Sequence, residues 1–577
     1  MGSMDRQAGG ASGLGRYTRE IEAVLGDLAG RKATGRIWEK DAALWKADPA
    51  HQQIIRNSLG WLTVTSMIRE HAAGLAKFAV EVGRAGFRHV LLLGMGGSSL
   101  CPDVLRLTFG EAAGFPSLAV LDSTDPATVQ AFEQSVDLPR TLFIVASKSG
   151  TTPEIAAFYQ YFFEKVRRLR GEGAGEQFVA ITDGGTVLQR TGTERKFRHV
   201  FVNPSDIGGR YSALSFFGMV PATLIGLDAL RLLDRAEGMA RACASGVPPA
   251  ENPGAWLGAV LGCLARAGRD KVTFICSPEI AAFGYWVEQL IAESTGKEGT
   301  GIIPVEGETL GDPAGYGNDR VFVYLKLQDS TQRDLDGKVA ILERAGQPVL
   351  RIPLQDRYDL GAEFFRWEFA TAVAGLVLGV DPFDQPNVQE SKDNTHRLLG
   401  EFKAKGRLPE GNPIFAEGPI RLYGDEASAA AVCGARSLDE ALKAHLARIK
   451  AGDYAALTAY LQATPPHAET LSAIRHRIRD RFKVATTLGY GPRFLHSTGQ
   501  LHKGGGDNGV FLQFTADDPV DLPIPGEPHT FGVMKAAQAL GDLQSLQSRK
   551  RRALRVHIAG DIAAGLRRVQ EAVAQAL

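Results

Sequence analysis

The segment Ser147-Lys148-Ser149-Gly150-Thr151-Thr152 sets four hydroxyls and one lysine within six residues. An apolar run precedes it, and Pro153-Glu154 opens a helical pattern after it. Thr152 fits a helix N-cap, Pro153 the first helical position and Glu154 the first turn. Capping uses one hydroxyl, not four. The surplus suits a phosphate, whose oxygens accept several hydrogen bonds at once; a plain hydroxyl-rich cap is the simpler reading. A second loop, Gly94-Met95-Gly96-Gly97-Ser98-Ser99, also lies between an apolar run and a helix. Its glycines allow a sharp turn and close approach to an anion, and the helix start supplies free N–H groups. By itself it is a weak signal that a tight strand–helix turn also explains. Ser99 stands where a dinucleotide fingerprint has its third glycine, and no Gly-Lys-Ser/Thr follows as in a Walker loop. Two such loops, at the ends of two strands of one sheet, point to a single ligand crevice.

The elements that position these loops follow from the apolar spacing. The first ~80 residues read mainly as helices. Short apolar runs at 90–93, 118–121, 142–146, 178–182 and 200–202 then alternate with helical patterns, one of them over 153–170. That alternation predicts an α/β fold with a parallel sheet covered on both faces. A Pro/Gly-rich stretch at 244–254 reads as a linker. Beyond it the alternation resumes, with strands at 272–276, 321–325 and 349–352, a helix around 285–291 and a long buried helix over 362–380. The predicted organisation is an N-terminal helical region (1–80), a first lobe (81–243), a second lobe (255–406) and a C-terminal region (407–577) that packs on the second lobe or completes it. Within that last region 410–423 reads as loop, 438–449 and 454–461 as helices, 489–509 as irregular, 554–556 as a strand and 562–577 as a terminal helix.

Composition narrows the function classes. The 577 residues leave ample chain for large cores, and 44% hydrophobic with 23% charged residues is ordinary for a soluble globular protein. Lys plus Arg equals Asp plus Glu at 65 each, which argues against a dedicated nucleic-acid binder. The run Arg549-Lys550-Arg551-Arg552 reads as solvated surface on the same ground. Cys101, Cys243, Cys263, Cys276 and Cys433 are odd in number and form no C-x-x-C pair, so neither a disulfide framework nor a zinc site is expected. A reduced, cytoplasmic setting fits. No apolar leader follows Met1, and the stretch 211–227 is too short and interrupted for a membrane span, so no membrane partner is expected. Asp517, Asp518 and Asp521 lack metal-ligand spacing and read as a turn. No metal site is expected.

Five blocks now carry a resemblance. Ser147-Lys148-Ser149-Gly150-Thr151-Thr152 resembles the phosphosugar loop of the sugar isomerase (SIS) superfamily. Gly94-Met95-Gly96-Gly97-Ser98, Ile207-Gly208-Gly209-Arg210-Tyr211-Ser212, Glu293-Ser294-Thr295-Gly296-Lys297 and the stretch from Asp381 to Lys392 resemble successive blocks of the phosphoglucose isomerase family. The resemblance covers about 300 residues in the family's order. The wording Leu495-His496-Ser497-Thr498-Gly499-Gln500-Leu501-His502 is most similar to the isomerase part of fused transaldolase–isomerase proteins. No chain length remains for the transaldolase barrel itself.

The resemblance implies two SIS lobes, a homodimer, no cofactor, and interconversion of glucose 6-phosphate with fructose 6-phosphate through an enediol. It assigns Glu293 as the base, Arg210 as the cation on the enediolate oxygens, Lys392 as a ring-opening lysine, and Ser98, Ser147, Lys148, Ser149, Thr151 and Thr152 as the phosphate cradle. One departure stands out. The ring-opening histidine is expected soon after the Glu293 block, yet 301–324 contains no histidine. His496 is therefore expected to supply it from a relocated segment, the rivals being His502 and His396. A phosphosugar sensor without turnover, or an isomerase of a related hexose phosphate such as mannose 6-phosphate, are the alternatives. A sensor has no need of Glu293, Arg210 and Lys392 together.

Overall fold

A computed structural model describes residues 11–330, 333–409 and 411–577. The reading of the chain start at Met1 lies outside these residues. Three parallel-rich sheets organise the chain, one more than expected.

The first lobe orders its strands Ser117–Leu121, His89–Leu93, Thr141–Ala146, Phe178–Asp183 and His199–Asn203, all parallel. Numbered along the chain this is 2-1-3-4-5. Successive crossovers leave the His89–Leu93 strand in opposite directions, so a crevice opens between it and Thr141–Ala146. Both candidate phosphate loops leave the sheet at that crevice. The second lobe repeats the order with Ile303–Val305, Lys271–Cys276, Arg320–Leu327 and Val349–Leu354. The N-terminal segment Ala11–Ser12 adds an antiparallel edge to it.

The N-terminal region is helical as expected, in Thr18–Gly30, Ala33–Trp38, Pro49–Arg56 and Val64–Arg84. One large core joins these helices to both lobes, with Trp61, Trp286 and Trp367 essentially sealed from solvent. The helix Leu360–Leu378 is buried along nearly its whole length, which explains its unbroken apolar run.

Residues beyond 407 do not complete the second lobe. They build their own sheet, with parallel strands Ala485–Tyr490, Tyr454–Tyr460, Gly509–Ala516 and Arg552–Ile558 in the same 2-1-3-4 order, edged by the antiparallel pair Phe415–Glu417 and Ile420–Tyr423. This third unit has a core of its own. It also packs on the second lobe, where Tyr454, Ala456 and Phe511 meet Ala292, Ile303 and Val305. The expected helix at 454–461 is its central strand. Every residue from Tyr454 to Tyr460 is buried, so the strand shows no polar alternation, and its Ala/Leu content mimics a helix.

The basic run is not the solvated surface expected, since Arg551 is buried and three of its four cations are paired. Arg549 pairs with Glu390, Arg551 with Asp507 and Arg552 with Asp453. The five cysteines are free thiols. Among the described residues no helix is long and apolar enough to cross a membrane.

Candidate active site

The two phosphate-loop candidates sit side by side at the carboxyl ends of adjacent parallel strands. In the 94–99 loop Gly96 takes a positive φ of 54°, and a side chain there would strike the Gln289 amide and the His496 backbone. A Cβ on Gly97 would stand 2.0 Å from the Gly209 carbonyl oxygen. These glycines therefore let three distant segments touch: this loop, the turn before Arg210 and the turn carrying His496. Ser98 lies buried in the loop.

In the second loop the Ser147 and Thr152 hydroxyls share a hydrogen bond of 3.1 Å, and the Gly150 N–H donates to Ser147 Oγ. Ser149 Oγ accepts from both the N–H and the hydroxyl of Thr151, and these two residues are exposed. Thr152 occupies the N-cap of the helix Pro153–Arg170, but its hydroxyl accepts no N–H of that helix. The first turn keeps its donors available, with the positive end of the helix dipole behind them.

Arg210 comes from the first lobe and reaches into the second. Its Nε donates to Ser294 Oγ at 2.7 Å, Nη1 to Gln385 Oε1 at 2.9 Å, and Nη2 to the carbonyls of Pro382 and Asp384. Glu293 Oε1 lies 3.4 Å from Nη1. Both side chains are almost fully buried, at 3% and 8% exposure, so cation and carboxylate face each other with little water to screen them. The Gln289 amide nitrogen donates to Glu293 Oε2 at 3.0 Å and to the His496 carbonyl at 2.7 Å. A single side chain thus ties the carboxylate to the histidine turn.

His496 Nε2 lies 3.0 Å from Glu154 Oε1. Burial pushes the Glu154 carboxyl upward, but His496 and then Lys392 outweigh it and hold the group below its ordinary range. A charged carboxylate accepts, so Nε2 donates and Nδ1 is left to exchange a proton. Lys392, Glu154 and His496 line one small pocket with Ser391, Leu495 and Gln538.

A carboxylate, a fixed cation and an imidazole thus meet beside a hydroxyl-rich loop, all from one chain. Residues 68–309 match the phosphoglucose isomerase family model. The matched segment contains the blocks around Ser98, Ser147, Arg210 and Glu293; Lys392 and His496 lie beyond it. Among curated proteins, a glucose-6-phosphate isomerase of Leptospira biflexa is 26% identical over 423 residues, covering 64% of this chain and 93% of that protein. A probable glucose-6-phosphate isomerase of Methanococcus maripaludis is 27% identical over 353 residues, covering 54% and 79%. Among solved structures, a glucose-6-phosphate isomerase from Chlamydia trachomatis aligns with a TM-score of 0.55 at 20% identity, over 67% of this chain and 87% of that one. A hypothetical protein from Thermus thermophilus aligns with a TM-score of 0.58 at 22% identity, over 67% and 99%. These structures share the fold.

The residues expected from the sequence divide. Glu293, Arg210 and His496 converge, linked directly or through Gln289, and Lys392 shares the His496 pocket. Lys148 leaves the phosphate set as a side chain: its ammonium donates to Asp183 Oδ2 at 2.6 Å and to the Ser205 carbonyl, because the neighbouring strand ends in a carboxylate that needs a partner. His502 is a core histidine. Its Nδ1 meets the Tyr454 hydroxyl at 2.9 Å, and burial, helped by Lys503 and Arg551, pushes it down to about 3. His396 is exposed on the helix Pro386–Lys405.

Sequence reasoning placed Glu154 only in a helix turn, held Gln385 only as a letter of the Asp381–Lys392 block, and missed Gln289 and Gln538. Gln289 stands one helical turn before Glu293, but its other partner, the His496 carbonyl, and the partners of Gln538 lie far along the chain. Lys297 was seen only as a motif letter. It donates to the Asp384 carboxylate and carbonyl at 2.6 Å each, and burial, with Arg210 nearby, pushes it down to about 8. Among the described residues one group has metal-ligating types close together, His51 with Asp381 and Asp384. The Lys297 ammonium already occupies Asp384 and opposes a further cation there.

Proposed function

We propose that this chain interconverts glucose 6-phosphate and fructose 6-phosphate by proton transfer through an enediol, using the residues of one chain. The observation that carries this reading is the Gln289 bridge, which holds the Glu293–Arg210 pair beside the His496–Glu154 pair. A binding module without turnover has no use for that junction.

The sugar phosphate docks on Ser98 and on the hydroxyls and free helix N–H groups of the 147–152 loop, a grip remote from the reacting carbons that fixes orientation. His496 Nδ1 takes the proton of the anomeric hydroxyl while Lys392 gives one to the ring oxygen, and the C1–O5 bond breaks. Glu293 then takes the proton from C2 of the open aldose. The electron pair moves to the carbonyl oxygen, which Arg210 meets as a cation already held in place by four hydrogen bonds. The proton of the C2 hydroxyl passes to the C1 oxygen, Glu293 returns its proton to C1 as the C2 carbonyl forms, and the ketose results.

Because all these groups come from one chain, catalysis does not require the homodimer that the resemblance implies; specific activity independent of dilution is the expected result. The free thiols suit a cytoplasmic setting. The Leu495–Gly504 wording supports kinship with the isomerase part of fused transaldolase–isomerase proteins.

The test is a coupled assay of the purified chain on fructose 6-phosphate with a chelator present. Turnover is expected. No turnover, or turnover only after a divalent metal is restored, would overturn the reading.

A further inference from the structure

Glu154 is held at one oxygen only. Oε1 accepts from His496 Nε2 at 3.0 Å and from Gln538 Nε2 at 2.7 Å, while the buried Oε2 has no partner among the described residues. The Gln538 amide has a fixed sense: the Glu154 carboxylate can only accept, so Nε2 faces it and Oε1 accepts from the Thr124 hydroxyl at 2.7 Å. Thr124, Gln538 and Glu154 are 0%, 2% and 3% exposed, so no water competes for these bonds. Lys392 is the cation in the lining of the pocket that Glu154 and Gln538 share with His496.

This arrangement has a physical consequence. A carboxylate carrying two donors on one oxygen and none on the other is free to rotate once a donor is lost. Rotation would withdraw Oε1 from His496 and turn an unsatisfied oxygen toward it, with loss of the imidazole's orientation and tautomer. Gln538 lies on the helix Phe531–Ser548 of the third unit, whereas Thr124 and Glu154 belong to the first lobe. It also lies outside the segment that matches the family model.

We propose that Gln538 is a positioning residue for ring opening: anchored by Thr124, it fixes the Glu154 carboxylate and through it the proton on His496 Nε2. The inference rests on the isomerase reading. Gln538 touches no reacting atom; it acts through Glu154.

The experiment compares two substrates. One is glucose 6-phosphate, which must be opened. The other is the 5-deoxy analogue of fructose 6-phosphate, which lacks the oxygen that closes the ring. Gln538→Leu is expected to lower kcat on glucose 6-phosphate roughly 10-fold, the scale of a modest misplacement of a catalytic group. KM and the rate on the open-chain analogue stay within about 2-fold of the wild type, since binding and the Glu293 step are untouched. Thr124→Val reproduces the selective loss from the other end of the relay, and Thr124→Ser, which keeps the hydroxyl, restores it. Lys535→Met is the docking control. Lys535 joins the same two units by donating to Asp125 at 2.8 Å without touching Glu154, so its loss lowers stability and leaves the substrate ratio unchanged.

Equal slowing of both substrates by Gln538→Leu and Thr124→Val, or a selective loss in Lys535→Met, would reduce Gln538 to a docking contact and overturn the proposal. Full wild-type activity in both relay variants would overturn it as well. Absence of wild-type turnover would instead overturn the isomerase reading beneath it.

Discussion

Two helices in this molecule begin with Thr-Pro, and they treat their first turn in opposite ways. In the third unit the Thr464 hydroxyl accepts from the His467 N–H and closes the start of the helix Pro465–Phe482. In the first lobe Thr152 turns its hydroxyl to Ser147 and leaves the first turn of Pro153–Arg170 open. The other proline-led α-helices divide the same way. Asp48, Asp125 and Asn252 cap theirs, whereas Gln385 spends its amide oxygen on Arg210 and leaves the Asn387 N–H of the Lys392 helix to Gln500 Oε1. The two helices that lack a cap from their own N-cap side chain are the two that bound the site. Identical Thr-Pro chemistry thus closes a helix start in one unit and leaves it open in another. What decides is the neighbour offered to the capping group.

The comparison can be broken at its centre. If chemistry belongs to the junction between units, Glu293→Gln should lower kcat on the order of 10³-fold, because an amide cannot take and return a carbon-bound proton, while phosphosugar binding persists. Solvent-deuterium exchange into fructose 6-phosphate reads this, and wild-type exchange in the mutant would assign the base elsewhere. Next in size is the histidine contrast. His496→Ala should slow glucose 6-phosphate turnover roughly 10²-fold and spare the permanently open analogue. His502→Gln should leave the ratio of the two rates alone, and a ratio shift there would promote the rival.

A smaller pair of variants tests the Thr-Pro contrast itself. Ser147→Ala with Thr152→Ala should raise KM about 10-fold with little change in kcat, since phosphate contacts are made in ground and transition states alike. Thr464→Ala should leave KM unchanged and cost about 1 kcal/mol of stability, the usual loss of a cap. The last effect concerns pH. Burial pushes His445 and His502 of the third unit down to about 3 in the fold. Below the unfolded value of about 6.5 the unfolded chain binds protons that the fold refuses, so stability falls as pH drops from about 7 toward about 5. Hydrogen exchange at the two pH values should show the third unit opening first. Uniform loss across all three units would contradict this.

The first lobe was legible because each strand is a short apolar run bounded by turn residues, and because a phosphate loop must gather hydroxyls within a few residues. The third unit was not. Its central strand is buried on both faces, so the alternation that marks a strand is missing, and a chain of Ala and Leu reads as helix. Within the site, Glu293, Arg210 and His496 stood out by motif, while Glu154 did not. Its partner lies 342 residues away, and nothing local distinguishes a first-turn carboxylate in solvent from one that orients an imidazole. Lys148 misled for the opposite reason. A lysine inside a phosphate loop invites assignment to the anion, but Asp183 at the end of the adjacent strand already held it.

The contact between Gly97 and Gly209 reaches further than its size. With no room for even a methyl group between the backbones, the loop that bears Ser98 and the turn that bears Arg210 form one mechanical part. A displacement at the Ser98 loop is transmitted rigidly to the Arg210 guanidinium, without a hinge to absorb it. On the proposed isomerase reading, Gly97 is therefore a place where an added carbon atom, touching no substrate, would detune the grip on the sugar and the chemistry on its far end in the same stroke.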